Sequence, residues 1–247
     1  MTEALFRADA YQTECSAIVT AINDRGGIVL DRSVFYPTGG GQPGDRGALS
    51  WENGTCEIAV AVKGDTPDEV VHVPIEGAIA PPVGTEVTAK IDWDLRLRHM
   101  KVHTALHLLS VVIPLPVTGG QIGPEKGRLD FDMPDAPEDK DAIEAALNTL
   151  IADDHRVSDE WITDAELEAN PDMVKTMSVK PPTGQGHVRL VRIGGDPDAP
   201  VDLQPCGGTH VRSTALIGPV RLGKIEKKGK QNRRVSLHLV CRDLLAP

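Results

Sequence analysis

Two histidines four residues apart lie in the apolar stretch KVHTALHLLS, residues 101–110. On a helix, His103 and His107 would project from the same face one turn apart, where two imidazoles can hold one ion. The alternative is a pair of core or surface histidines, but neutral imidazoles without partners are costly to bury among Val, Ala and Leu. Gly-Gly-Thr separates a second pair, Cys206 and His210, and glycines let a backbone turn tightly beside an ion. Together the four residues form a His3Cys set suited to zinc.

The set lacks the general base of a zinc peptidase. A peptidase helix of this kind has the pattern H-E-x-x-H, whereas Thr104 follows His103 here. A peptide bond is a hard target without that proton acceptor, which makes a metallopeptidase the weakest interpretation. An activated ester is an easier target, because zinc lowers the pKa of a water molecule. The residue types and their spacing assign no catalytic residue.

Composition restricts the class of protein. The chain has 247 residues, of which 25% are charged and 40% hydrophobic, as in soluble globular proteins. We see neither the ~20 apolar residues of a membrane helix nor a secretion signal, so we expect no membrane partner and a cytoplasmic location. The four dispersed cysteines fit no disulfide framework. Aromatic residues, at 3%, are too few for an extended stacking surface along single-stranded nucleic acid.

The net charge of −10 is unevenly distributed. Residues 130–172 contain 15 Asp and Glu against two basic residues, whereas residues 221–234 contain seven Lys and Arg against one Glu. Both stretches are explained most simply as solvated faces. A local basic patch is nevertheless sufficient to bind a polyanion, so the overall acidity does not exclude one.

Residues 1–92 favour β structure. Short strand-like runs alternate with turn signals, among them Gly26-Gly27 and Asn53-Gly54, and no long helical period is present. This pattern is typical of a small barrel or a sandwich.

The hydrophobic period changes after Asp92. The predicted elements from there on are helices over 92–113 and 137–154, a short helix from Thr163, and strands over 187–195 and on both sides of Gly229. The C-terminal part is therefore α+β, with a boundary near residues 90–94.

Three motifs in this order resemble the alanyl-tRNA editing family: FYPTGGGQPGDRG, HTALHLL and CGGTHV. That family comprises the editing domain of alanyl-tRNA synthetase and its freestanding relatives, and this chain is similar to the freestanding form. The resemblance covers nearly the whole chain. It implies an α+β fold in which a small Gly-rich-motif β-barrel domain, residues 1–92, precedes a two-layer α/β editing domain with a zinc site, residues 93–247.

The resemblance also implies roles for individual residues. The zinc positions correspond to His103, His107, Cys206 and His210. The Gly-rich motif, which lies near the editing site in the family, supplies Gly39, Gly40, Gly41 and Gln42, with a mere barrel turn as the alternative. This motif lacks the Lys-Ser/Thr ending of a phosphate loop, so we expect no nucleotide cofactor.

Two further sets follow from the resemblance. Thr118 is the first candidate for sensing the substrate side chain through its hydroxyl, and Gln121 is the second. A basic segment near the C-terminus is expected to contact tRNA through Lys227, Lys228, Lys230, Arg233 and Arg234.

The implied function is zinc-dependent hydrolysis of mischarged Ser-tRNA(Ala), and of Gly-tRNA(Ala) as a second substrate. The cofactor is then Zn2+ and the partner is the mischarged tRNA. Leu106 stands where the synthetase version often has Thr, so the substrate preference of the synthetase cannot be carried over. The alternative is a noncatalytic tRNA-binding protein, because a closed zinc site with four protein ligands is usually structural.

Overall fold

A computed structural model of the chain describes residues 1–66, 68–137, 139–175, 186–196 and 198–240. The chain divides into two compact units, Met1–Leu97 and Arg98–Pro247. The predicted α+β class is confirmed. Among the described residues, no helix combines the length and the apolar character needed to span a bilayer.

Short strands make up most of the first unit. Its elements are β1 (Glu3–Ala4), α1 (Leu5–Ala8), β2 (Glu14–Ile22), β3 (Ile28–Leu30), β4 (Arg32–Ser33), β5 (Gly47–Trp51), β6 (Gly54–Lys63), β7 (Val70–Pro74) and β8 (Glu86–Ile91). Six strands form a closed barrel in the order β2-β3-β7-β6-β5-β8, and the pairing of β2 with β8 closes it. The predicted barrel is therefore confirmed over the sandwich.

The barrel follows from local sequence signals. Gly26, with φ at +79°, lies in the turn between β2 and β3, and Trp51 pairs with Gly54 across the turn between β5 and β6. Along β8, exposed and buried residues alternate strictly, as expected for a strand with one face on a core. Both predicted hairpins are thus confirmed.

The second unit contains helices and two antiparallel sheets. Its elements, beginning with the helix that crosses the unit boundary, are α2 (Trp93–Val112), β9 (Val117–Ile122), β10 (Lys126–Asp132), α3 (Lys140–Ala152), β11 (Val157–Thr163), α4 (Asp164–Ala169), β12 (His187–Ile193), β13 (Asp202–Pro205), β14 (Val220–Lys228) and β15 (Asn232–Leu239), with 3-10 turns at Pro171–Met173 and Thr214–Ile217. One sheet has the order β14-β15-β10-β9 and the other β11-β12-β13.

The helix α2 has clear start and stop signals. The carboxylate of Asp92 accepts the backbone N–H of Leu95 at 3.1 Å, which satisfies a free donor of the first turn. Pro114 follows the last turn. Of the predicted apolar stripe, Val102 and Leu109 are fully buried. The helix predicted over residues 92–113 is confirmed.

The helix α3 starts at Lys140, three residues later than predicted. Its start is set by Asp139, whose carboxylate accepts the backbone N–H of Ala142 at 2.8 Å. The side chains of Asn148 and Glu144 then bond the backbone of the edge strand β14, including the N–H of Leu222 at 2.7 Å. The helix therefore covers a strand edge that would otherwise leave donors unpaired.

The short helix α4 begins as predicted. The Thr163 hydroxyl accepts the N–H of Glu166, and the Glu166 carboxylate accepts the N–H of Thr163 at 2.7 Å, which is a complete capping box.

Candidate metal site

The helix α2 presents His103 and His107 on one face, and each residue is only 7% exposed. Their ring centroids are 5.2 Å apart, as expected for residues one turn apart. The neighbouring Leu106 and Leu108 are also buried, so this part of the helix lies inside the fold.

Cys206 and His210 lie in the segment that follows β13. The Cys206 Sγ lies 3.3 Å from Nε2 of His210 and 3.5 Å from Nε2 of His103. Gly208 donates its backbone N–H to the same sulfur at 3.4 Å. A Cβ at Gly207 would meet no atom within 4 Å, so close packing does not require glycine there.

The four side chains form one compact set of donors. The ligand atoms of His103, His107, Cys206 and His210 all lie within 4.8 Å of one another. Tetrahedral zinc, with bonds of about 2.0–2.1 Å to nitrogen and 2.3 Å to sulfur, would place a sulfur and a nitrogen ligand about 3.6 Å apart. The observed sulfur–nitrogen separations of 3.3 and 3.5 Å are close to this value, so the donor set fits zinc in both chemistry and spacing.

The outer nitrogen of His107 has a carboxylate partner. Its Nδ1 lies 2.9 Å from Oδ2 of Asp202, and Oδ1 of Asp202 accepts the Lys175 ammonium at 2.6 Å. Gln204 donates to Oδ2 of Asp202 at 2.7 Å and so helps to fix the carboxylate. A proton on Nδ1 leaves Nε2 free of hydrogen, which is the form that binds a metal.

The outer nitrogen of His210 has a hydroxyl partner. The Thr104 Oγ1 lies 3.1 Å from Nδ1 of His210, accepts the N–H of Val211 at 3.3 Å and donates to the carbonyl of Met100 at 2.9 Å. Since the hydroxyl hydrogen is used by Met100, Oγ1 can only accept from His210. Nδ1 of His210 must then carry the proton, and Nε2 is left bare towards Cys206.

The electrostatics of the set favour a cation. Burial opposes ionisation of Cys206, but His103 and His210 beside it hold the pKa of the thiol well below its ordinary value. Burial also opposes protonation of His107, but its bond to Asp202 and the nearby Cys206 raise the pKa of that imidazole to about 9. The set therefore offers a thiolate and an electronegative environment, which attract a metal ion.

Sequence reasoning missed the residues that orient the ligands. Asp202, Gln204 and Cys206 stand at every second position, which is the spacing of residues on one face of a strand. This alternate spacing is the sequence signal that places Asp202 and Gln204 on the same strand face as Cys206. Thr104 lies next to His103 and bonds the carbonyl of Met100 one turn earlier on the helix, but its further contact with His210 depends on the segment after Cys206, more than 100 residues away.

The predicted substrate-sensing residues lie on β9. The hydroxyl of Thr118 donates to the carbonyl of Asp130 at 3.0 Å, so one side of this group is already occupied. Gln121 is exposed, and its Oε1 accepts from the Arg128 guanidinium at 3.2 Å. Their roles towards a substrate stay predictions.

The Gly-rich segment forms a tight turn in the first unit. Gly39 and Gln42 exchange backbone hydrogen bonds of 3.0 and 3.1 Å, and Gly40 and Gly41 have φ values of +58° and +82°. The Tyr36 hydroxyl donates to the carbonyl of Gly39 at 2.8 Å, and Gln42 is completely buried. The barrel-turn interpretation thus describes the backbone, and the substrate role of this segment stays a prediction.

The predicted tRNA-binding residues lie on the hairpin of β14 and β15. Arg234 makes two bonds to the Asp130 carboxylate, at 2.8 and 2.9 Å, and Lys228 lies 3.6 Å from Glu226. Arg233 donates to the carbonyl of Pro134. Lys227 and Lys230 are exposed. Part of the basic charge is therefore already bonded to acidic side chains and a carbonyl of the protein itself.

Two family descriptions match the chain. Residues 188–236 match the second additional domain of threonyl and alanyl tRNA synthetases, and residues 3–95 match class II (A) tRNA synthetases. The second match covers much of the barrel unit.

Curated relatives match over most of the chain. The alanyl-tRNA editing protein AlaX-M of Methanosarcina acetivorans is 36% identical over 97% of this chain and 100% of its own length. The protein of the same name in Saccharolobus solfataricus is 34% identical over 95% of this chain and 98% of its own length. The alanine–tRNA ligase of Pyrobaculum neutrophilum is 35% identical over 92% of this chain, but this covers only 25% of the ligase. The predicted family is confirmed, and the chain belongs to the alanyl-tRNA editing protein family.

Proposed function

We propose that the protein is a zinc-dependent deacylase that hydrolyses mischarged Ser-tRNA(Ala), and Gly-tRNA(Ala) as a second substrate, in trans. The observation that carries this proposal is the set of four convergent donors, His103, His107, Cys206 and His210, together with the outer-nitrogen partners that two of them have. The printed names of the relatives, which are alanyl-tRNA editing proteins and alanine–tRNA ligases, support the substrate class.

Editing of this kind answers a limit of molecular recognition. A pocket built for alanine cannot strongly reject serine, which adds one hydroxyl, or glycine, which leaves only a small gap. Discrimination through such differences reaches roughly 10- to 200-fold. A second protein that hydrolyses the wrong ester removes the remaining errors.

The chain's own residues would hold and orient the site. The four donors would bind zinc, while Asp202 and Thr104 fix the proton positions of His107 and His210. When bound, zinc supplies a Lewis acid that polarises an ester carbonyl or lowers the pKa of a water molecule. The low exposure of both helix histidines limits access of bulk water to the donors.

A deacylation assay tests the proposal. Ser-tRNA(Ala), Gly-tRNA(Ala) and correctly charged Ala-tRNA(Ala) are incubated with the protein, and release of the amino acid is followed. We expect rapid loss of the seryl ester with the alanyl ester spared. Cys206→Ala should lose bound zinc and activity together, whereas Cys15→Ala, which changes a half-buried thiol in the barrel unit, should lose neither.

A second function is favoured by one observation. All four ligand atoms come from the protein and lie within 4.8 Å of one another, and zinc sites closed in this way are usually structural. In that case the protein binds tRNA without turnover. Tight tRNA binding, full zinc content and no hydrolysis of any of the three esters would favour this function over the deacylase.

A further inference from the structure

Trp161 on β11 is a large aromatic side chain exposed to solvent. It is 54% exposed, and it is the one Phe, Tyr or Trp in the exposed class among the described residues. The other two tryptophans, Trp51 and Trp93, are half-buried in the first unit. A ligand that covered the indole would remove apolar surface from water, which is favourable.

Trp161 lies in one row with a candidate metal ligand. Across the three-stranded sheet, Trp161 pairs directly with Arg189 on β12. The carbonyl of Arg189 in turn accepts the N–H of Cys206 at 3.1 Å. Two strand spacings separate the ends of this row, which is about 10 Å between Trp161 and Cys206.

The side chains of this row share one face of the sheet. Asp202 and Gln204 reach His107 from the face of β13 that carries the donor set. Gln204 pairs with Val191, and Val191 pairs with Asp159, so Asp159 lies on that face as well. Because Trp161 is two residues from Asp159 on the same strand, its indole projects from the same face as the metal donors.

Arg189 fixes the surface between the two ends of the row. Its guanidinium donates to the carbonyls of Cys206 and Gly208 at 2.8 and 3.0 Å, and to the Asp159 carboxylate at 3.1 and 2.8 Å. Its side chain is only 9% exposed, so the exposed part of the row begins at Trp161. The row thus runs from Cys206 in the buried donor set, across Arg189 on β12, to the exposed aromatic face of Trp161 on β11.

We propose that Trp161 is the stacking surface for the terminal nucleobase of the tRNA substrate, a purine nucleoside that carries the amino acid ester. This inference rests on the proposed function, because the ester must lie at the donor set. One ribose separates the ester from the base, and the row offers an aromatic face at a comparable separation from Cys206. A single aromatic side chain suits a single base, which agrees with the low aromatic content of the chain.

Fluorescence of the full chain tests the contact without requiring turnover. The probe is adenosine that carries serine through a stable 3′-amide, and the matched probe is the same seryl amide on ribose without a base. We expect the adenosine probe to quench tryptophan emission and the base-free probe to leave it unchanged. The quenching should disappear in Trp161→Phe but persist in Trp51→Phe, which changes a tryptophan of the barrel.

Kinetics with Ser-tRNA(Ala) supply the second measurement. Stacking of one base on an aromatic side chain predicts that Trp161→Ala raises KM about 10-fold or more, while kcat changes little. Trp161→Phe, which keeps an aromatic face, should recover most of the affinity. Circular dichroism and zinc content of both variants should match those of the parent protein, because the side chain is exposed.

The outcomes separate this inference from the proposed function. Base-dependent quenching of Trp161 without hydrolysis would keep the nucleobase site and reject the deacylase. Normal hydrolysis with an unchanged KM in Trp161→Ala, and quenching that does not depend on Trp161, would overturn the nucleobase site and keep the deacylase. A dimer in solution that buries Trp161 and is abolished by Trp161→Ala would likewise overturn it.

Discussion

The carboxylate of Asp202 binds His107 through one oxygen and Lys175 through the other, at 2.9 and 2.6 Å. Burial works against its charge, but its bond to His107 and the Lys175 ammonium hold the pKa of Asp202 at about 2. The Asp202 side chain is completely buried, and three donors, from His107, Lys175 and Gln204, replace the hydration that it gives up. Asp202 therefore orients the His107 ring and is not itself one of the candidate metal ligands.

This relationship predicts a loss of metal affinity in Asp202→Asn. The carboxylate of Asp202 gives His107 and Lys175 one oxygen each, whereas the amide of asparagine has only one acceptor oxygen. In the variant, either His107 or Lys175 therefore faces the amide NH2. Loss of such an outer partner weakens zinc binding about 10- to 100-fold. The measurement is the zinc dissociation constant, obtained by competition with a chelator. Asp141→Asn, at an exposed position of α3, is the matched control and should keep the parent affinity.

The hydroxyl of Thr104 predicts a similar effect at His210. Thr104→Val keeps the shape of the side chain but removes the acceptor of the His210 Nδ1 proton and of the Val211 N–H. We expect weaker zinc binding and a lower melting temperature, since buried donors lose their partner. Thr104→Ser should restore both quantities. Equal zinc affinity in the valine and serine variants would show that the hydroxyl does not orient His210.

Sequence patterns predicted the elements better than the contacts between them. The barrel hairpins, α2 and the capping box of α4 depend on neighbouring residues, and all were predicted from spacing. The predicted start of α3 is three residues early, because Pro137 and Asp139 both suit a helix N-terminus but the carboxylate of Asp139 makes the cap. That His103, His107, Cys206 and His210 lie together could be predicted because their residue types are chemically distinctive, and their binding of a metal stays a prediction.

Long-range pairings could not be predicted in the same way. The bond between Asp202 and His107 joins residues 95 positions apart, and its existence depends on which face of β13 meets α2. The two bonds from Arg234 to Asp130 depend on the register of β10 with β15, which no local pattern reveals. Residue type alone therefore predicts more basic side chains available to tRNA than the hairpin has, because Arg234 is bonded to Asp130.

The basic hairpin gives a prediction for tRNA binding. Burial works against ionisation of Asp130, but Arg234 and Arg128 hold the pKa of its carboxyl below the usual value, so Arg234 supports the fold. Lys227 and Lys230 are the exposed positions to test. Changing both to Gln should raise KM for Ser-tRNA(Ala) and reduce the slope of log affinity against log salt by about 1 per lost phosphate contact.

A barrel variant controls for net charge in this experiment. Arg25→Gln with Lys90→Gln removes the same two charges from exposed positions of the first unit. It should leave the salt slope unchanged. If both double variants lower the slope equally, the hairpin acts only through the net charge of the protein.

The buried His72 of the barrel predicts a dependence of stability on pH. Its Nδ1–H donates to the carbonyl of Ile28 at 3.0 Å, and its Nε2 accepts from the Ser33 hydroxyl at 2.7 Å, so the neutral ring has both partners. Burial, partly opposed by the Ile28 bond, lowers the pKa of His72 to about 4. The unfolded chain binds the proton near pH 6.5, so this contribution is complete above that pH and is lost as pH falls towards 4.

The measurable consequence is a loss of about 2 kcal/mol in the free energy of unfolding of the barrel unit between pH 7 and pH 5. Urea unfolding of the full chain at both pH values gives this difference. His72→Gln should be less stable at pH 7 but should lose less between the two pH values. His238→Gln, at an exposed histidine, should keep the parent difference. An equal difference in all three proteins would assign the pH effect to other groups.

Thr118 gives the prediction for substrate selectivity. Its hydroxyl hydrogen is donated to the carbonyl of Asp130, so its oxygen remains able to accept from the hydroxyl of a seryl ester. Thr118→Val should therefore slow hydrolysis of Ser-tRNA(Ala) by an amount worth ~1–3 kcal/mol, and that of Gly-tRNA(Ala) much less, because glycine has no hydroxyl to bind. The measurement is kcat/KM for both esters, with Thr118→Ser as the variant that keeps the acceptor. An equal loss on both esters would assign Thr118 to the bond that joins β9 to β10, and Gln121 would then be the residue to change.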